Sequence, residues 1–245
     1  MNQSNVLKTL LLAASTVMVS CMPNDDVQDK GQSEVTISAT VGNSTDDPNA
    51  RTTSLIYDNL VITDVRMSVD NVKLILRATG ANSNKPTIVQ FRTDSPKTFT
   101  LVKDGEVSIV PIGSAMAYND IYGKFDFDLV KAQDVPEDDE MFGRSVIAKA
   151  TWFGIPAAIY IDLEDKVEVM FNQGLEVDGA QNLILTVYMD KFLEGVNPAL
   201  VSDGNGDGMI EVGPDDEDGN GEAYAAILAN IESALVLKNG SFKSN

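Results

Sequence analysis

Hydrophobic residues fall at every second position through most of this chain. Val35, Ile37 and Ala39 alternate with Thr36, Ser38 and Thr40. Val65, Met67 and Val69 follow Thr63 on one face of the next run, with Asp64, Arg66 and Ser68 on the other. Asp70-Asn71 breaks that run, and Val72, Leu74 and Leu76 resume it. The pattern is clearest over 120–129. There Ile121, Gly123, Phe125, Phe127 and Leu129 point one way, and Lys124, Asp126 and Asp128 point the other. Similar segments lie near 145–152, 156–163, 167–171 and 181–189. Successive side chains of a strand point to opposite faces, so this spacing predicts strands with one packed and one wet face. Asn84-Lys85-Pro86, the stretch from Asp94 to Pro96 and Asp104-Gly105 read as turns, the last as a hairpin. About nine or ten short strands with little helix between them predict a mainly β chain folded as an antiparallel β-sandwich.

The period changes near the end. Tyr224, Ile227, Leu228, Ile231 and Leu235 are three or four apart and form one stripe, which predicts an amphipathic helix over 222–236. Asn220 suits its N-cap, and Glu222 suits the positive end of its dipole. This helix is expected to cover the sandwich or plug one end of it.

Residues 9–20 are apolar or small, and Lys8 is the only charge before them. That run is too short to span a bilayer and suits a secretory signal. It ends in Met18-Val19-Ser20-Cys21. Residues 22–32 are polar, acidic and aperiodic, as in a flexible tether. The expected organisation is a signal peptide over 1–20, Cys21 and its tether over 21–32, and one β-sandwich domain over 33–245.

Composition narrows the chemistry. The chain holds 37 acidic and 18 basic residues, a formal net charge of −19. Such a surface repels phosphate backbones, so no nucleic-acid partner is expected. The chain has no histidine and one cysteine. Ser-His-Asp and Cys-His nucleophiles cannot be assembled, nor can zinc sites built on imidazole or thiolate. Oxygen ligands remain.

Residues 203–211 read Asp-Gly-Asn-Gly-Asp-Gly-Met-Ile-Glu. Alternate residues of a tight, glycine-rich loop can aim oxygens at one point, which is what Ca2+ requires. The spacing resembles the calcium loops of EF-hand, dockerin and thrombospondin-type repeats. By that likeness Asp203, Asn205 and Asp207 are side-chain ligands and Met209 offers its carbonyl. Glu211 binds directly or through water, and Ile210 anchors the loop in the core. The twelfth position is Pro214 where an EF-hand has glutamate, so the EF-hand is incomplete. Asp216, Asp218 and Asn220 repeat the alternation and extend the calcium-type loop to 203–222. The alternative is a solvated acidic loop.

Other candidates have plainer readings. The run from Asp134 to Glu140 contains carboxylates for glycoside hydrolysis, but reads as an exposed loop. Trp152-Phe153 offers a sugar-stacking platform, yet a lone tryptophan in a β-rich chain reads as core. Arg51, in the polar loop over 42–53, is a candidate processing point.

The leader's last four residues resemble the lipobox of bacterial lipoproteins, which implies lipidation of Cys21. With Asp25-Asp26, the strand pair over 63–76 and the loop over 203–211, the chain resembles the β-sandwich surface lipoproteins of Bacteroidota. The resemblance implies a lipid-anchored outer-membrane protein, exposed at the cell surface of a Gram-negative bacterium. No reaction is implied. The expected function is non-enzymatic: a calcium-stabilised module that binds or scaffolds a protein or glycan. A fimbrillin-like pilus subunit precursor, cleaved after Arg51, is the alternative, and a carboxylate-dependent glycoside hydrolase stands third.

Overall fold

The computed structural model describes residues 31–45, 55–57, 59–77 and 88–239. The leader, Cys21, Arg51, the turn at 84–86 and Gly240 lie outside the described residues.

In chain order the strands are β1 (Gln32–Gly42), β2 (Leu55–Tyr57), β3 (Leu60–Leu76), β4 (Ile88–Gln90), β5 (Lys97–Lys103), β6 (Glu106–Val107) and β7 (Val110–Tyr118). They continue with β8 (Ile121–Leu129), β9 (Val146–Trp152), β10 (Ile155–Ile161), β11 (Asp165–Glu176) and β12 (Gln181–Tyr188). A short helix α1 (Met189–Phe192) follows, then β13 (Ile210–Val212), helix α2 (Gly221–Asn230) and β14 (Leu235–Asn239). The fold is mainly β with two sheets, consistent with a sandwich.

The smaller sheet runs β14-β12-β1-β7. Its alternation is the one the sequence carries: Val35, Ile37, Ala39 and Val41 of β1 are buried, as are Leu183, Leu185, Leu235 and Leu237 beside them. The larger sheet runs β11-β8-β3-β9-β10-β13, with β2, β4 and β5 also on β3. Apolar side chains from both sheets join in one core with Ile227 of α2. Two pairings, β1 with β12 and β10 with β13, are parallel.

Three local features depart from simple alternation. The break expected at Asp70-Asn71 is a bulge inside one continuous strand, β3, whose register on β8 shifts between Asp70 and Lys73. Asn71 takes a left-handed φ of 51°. Asp70 Oδ1 accepts from the Asn71 N–H at 2.7 Å, and Asn71 Nδ2 donates to Asp128 Oδ2 at 2.7 Å. Short polar side chains that bond locally tolerate this backbone region.

In β8 the pairs Leu76–Tyr122 and Ile75–Lys124 leave Gly123 unmatched. The bulge turns Tyr122 into the core and leaves Ile121 exposed, the reverse of strict alternation. Burial, aided by Asp120, pushes the Tyr122 hydroxyl up to about 12.

The expected helix over 222–236 is shorter. It ends at Asn230, and Leu235 begins a strand on β12. Leu235 and Leu237 are buried while Lys238 is exposed, so here the period-two pattern prevails.

Candidate acidic-loop site

Strand order fixes where the acidic loop sits. Leu60 of β3 pairs with Trp152 at one end of the larger sheet, and Leu76 pairs with Tyr122 at the other. β13 runs parallel to β10 with Ile210 opposite Ala157, close to the Phe153-Gly154 turn that joins β9 to β10. The loop before β13 therefore lies at the Trp152 end. The start of β1 lies at the other end, where Asn119 N–H donates to the Gly31 carbonyl at 3.1 Å.

Within the loop the acids bond to backbone. Asp203 Oδ1 accepts from the N–H groups of Gly206 (2.6 Å) and Asp207 (3.1 Å), and its Oδ2 accepts from Gly208 (2.9 Å). Asn205 Oδ1 accepts from Asp207 N–H at 2.8 Å, and Asp207 Oδ1 accepts from Met209 N–H at 2.9 Å. Each short polar side chain thus folds back on the chain just ahead of it, as such residues do in tight turns.

The second acidic set closes onto the first. Asp218 Oδ1 accepts from Asn205 N–H at 3.1 Å, and its Oδ2 accepts from Glu211 N–H at 2.8 Å. The two segments cross so tightly that a Cβ on Gly204 would stand 2.1 Å from the Asp218 carbonyl oxygen. Asp216 and Asp218 both adopt left-handed backbone, and Asp216 Oδ1 accepts from Gly221 N–H at 2.7 Å.

Asn220 holds this assembly to the fold. Its side chain makes no cap bond to α2, contrary to the N-cap expectation. It is 2 % exposed and joins three groups from two separate stretches. Oδ1 accepts from Ser202 N–H at 3.1 Å, while Nδ2 donates to the carbonyls of Ser202 (2.9 Å) and Glu211 (2.7 Å). Ile210 is buried, and Met209 packs beside Tyr160 and Met141.

Glu211 lies on the outer side of β13. Desolvation, then the charges of Asp207, Asp218 and Glu217, raise its carboxyl above the usual range, and Arg144 opposes them. Arg144 is itself stacked on the Tyr160 ring at 4.0 Å. The structure thus gathers Asp203, Asn205, Asp207, Glu211 and Asp218 into one compact loop, with Asp216 and Asn220 at its base. Every side-chain donor is a hard oxygen, which suits Ca2+. Among the described residues no group of three or more acidic side chains is arranged to close on one ion. The carboxylates bond to backbone instead.

The run 134–140 has structural work. Asp134 accepts from the Thr98 N–H (3.0 Å) and hydroxyl (2.6 Å). Burial pushes its carboxyl up, but the Thr98 bonds and Lys97 outweigh that, and the net shift is downward. Asp139 bonds Arg66 at 2.6 Å, and that bond and the Met141 N–H lower it. Glu140 pairs with Lys149. The lowered carboxyls of Asp134 and Asp139 lack the raised pKa a general acid requires. The Trp152-Phe153 pair splits. Trp152 faces a cavity of about 30 Å³ between the larger sheet and Leu193, Val196 and, from α2, Ile227, whereas Phe153 is 66 % exposed in a left-handed turn. A cavity of that size is near one water in volume, far below the several hundred Å³ of a ligand pocket.

One polar feature escaped the sequence reading. Asp126 is 0 % exposed on the outer face of β8. Lys166, Lys124 and Lys73 approach it at 3.0, 3.4 and 3.6 Å. These are ion pairs, and neither carboxylate oxygen has a well-aligned hydrogen bond. Cross-strand pairing of Asp126 with Lys73 and Glu168 was the available signal, but it depends on a register the sequence does not state.

Comparison with protein-family models, with curated proteins and with solved structures found no match.

Proposed function

We propose that this chain is a non-enzymatic module of the outer envelope, anchored through lipid on Cys21, which calcium stabilises at its far end and which binds or scaffolds a protein or glycan outside the cell. The observation carrying the calcium reading is the crowding at Glu211, whose carboxyl is raised by burial and by three acidic neighbours. A divalent cation would relieve that repulsion, drawing ligands from Asp203, Asn205, Asp207, Glu211 and Asp218. Ligation would replace some of the backbone bonds these groups now make.

Calcium should raise the melting temperature of the metal-free protein, and chelator should reverse the gain. Glu211→Gln should act in two directions, raising the melting temperature without calcium and shrinking the calcium-dependent gain. Titration calorimetry with no heat, together with no thermal shift at millimolar calcium, rejects the ion.

A second reading, the fimbrillin-like pilus subunit precursor, is favoured by the place of β1. This first strand is inserted between β12 and β7, pairing with both, and its buried face is central to the core. Cleavage after Arg51 would leave it held by pairing and packing without a covalent link to the rest of the domain, and a strand from another copy could replace it. Ladders of higher-order species on gels after cleavage support this reading, and a cleaved protein that stays monomeric opposes it.

A further inference from the structure

We propose that Asn205 is a site of spontaneous deamidation, activated by the loop that holds it, while the same dipeptide at Asn220 is kept inert by the fold. Asn205-Gly206 and Asn220-Gly221 are the Asn-Gly steps that lie wholly among the described residues.

The reaction needs no oxidant or reductant. The backbone nitrogen of Gly206 gives up its proton and bonds to Cγ of Asn205. Negative charge gathers on Oδ1, and the side-chain amide leaves as ammonia, carrying a proton away. Water then opens the cyclic imide at either carbonyl, producing aspartate or isoaspartate.

Each requirement has a residue opposite it. Gly206 N–H donates to Asp203 Oδ1 at 2.6 Å, so a base already sits on the proton to be removed. Direct transfer to that carboxylate avoids a free amide anion among acidic neighbours. Asn205 Oδ1 accepts from Asp207 N–H at 2.8 Å, a donor placed where the oxyanion develops. Gly206 has a φ of +76°, with no heavy atom within 4 Å of the position a Cβ would take. No side chain at this position hinders ring closure, and Asn205 is exposed to the water that completes the reaction.

Asn220 has comparable contacts, Asp216 on the Gly221 N–H and Ser202 N–H on its own Oδ1, but lacks the freedom and the exposure to use them. All three of its side-chain bonds hold the amide flat against Ser202 and Glu211. Gly221 N–H is bound to Asp216 Oδ1 at 2.7 Å at the start of α2, and Asn220 is buried. Attack there requires breaking the junction between the loop and the helix.

The full chain, incubated metal-free at mildly alkaline pH, tests this by peptide mapping for a gain of about 1 Da and for isoaspartate. Asn205 should react about tenfold faster than Asn220, which is near 1.4 kcal/mol in barrier. Asn205 should also react at least as fast in the folded chain as in the same chain unfolded in urea, and Asn220 only in the unfolded one. Asp203→Ala should slow Asn205 several-fold. The proposal is overturned if Asn220 keeps pace with Asn205, or if folding protects Asn205. Because no metal is present, the result is independent of whether calcium binds.

Discussion

Asp126 illustrates how a single side chain can be indispensable and still invisible to pattern reading. It belongs to the polar half of the β8 alternation, which predicts a wet position, yet it is fully buried with the ammonium groups of three lysines around it. Removing one partner of a buried ionic group leaves the others uncompensated, at a cost of about 3–5 kcal/mol when burial is complete. The lysines here keep part of their exposure, so Asp126→Ala should cost about 3 kcal/mol, at the low end of that range. Urea denaturation reads this directly. A loss within the scatter of ordinary surface substitutions would mean that the ammonium groups find water as readily as carboxylate.

At the scale of elements, the strands were readable because burial on one face imposes a period that survives in the residues themselves. β1, β8, β9, β10 and β12 lie close to the positions the alternation predicts, and Asp104-Gly105 makes the β5–β6 turn. Bulges were not readable, because a bulge is a relation between two strands. Gly123 looks like one more inward position until its partner's register leaves it unmatched. β14 was concealed for a different reason. Ile231 and Leu235 continue the helical stripe of Tyr224 and Ile227, while Leu235 and Leu237 equally suit a strand, and the open edge of β12 decides between them. The acidic loop was legible as a unit, since its glycines and acids alternate in plain view. That Asn220 stitches the loop to Ser202 and Glu211, and does not cap α2, was not legible. Three hydrogen bonds converging from separate segments leave no local signature.

For the molecule as a whole, acid titration has two opposed parts. Lys124 and Lys166 hold the Glu168 carboxyl down to about 2, and Asp139 is lowered through Arg66 and the Met141 N–H. Stability from such depressed groups is complete above their ordinary values and is lost as pH falls toward the folded ones, for Glu168 between its usual 4.5 and about 2. Glu211 has the opposite sign. Its folded form keeps the proton longer, so its contribution is most favourable below 4.5 and declines as pH rises through its raised value. Partial neutralisation of a chain at −19 adds to the gain on the acid side of neutrality. The metal-free protein should therefore melt highest at mildly acidic pH, just above the ordinary carboxylate range, and lose stability steeply below it. A melting temperature that falls steadily from neutral pH downward contradicts this. With calcium present the maximum should move toward neutrality.

The parallel seating of β1 has a mechanical consequence. Its first residues emerge at the end opposite the acidic loop, and both its flanks are engaged, by β12 on one side and β7 on the other. A pull applied through Gly31 against a load at the far end runs along the strand, straining the ladders on both sides together in shear, not parting them one rung at a time. Such a strand slides out only when many rungs fail at once, so the molecule should resist traction along this axis far better than its ordinary thermal stability would suggest.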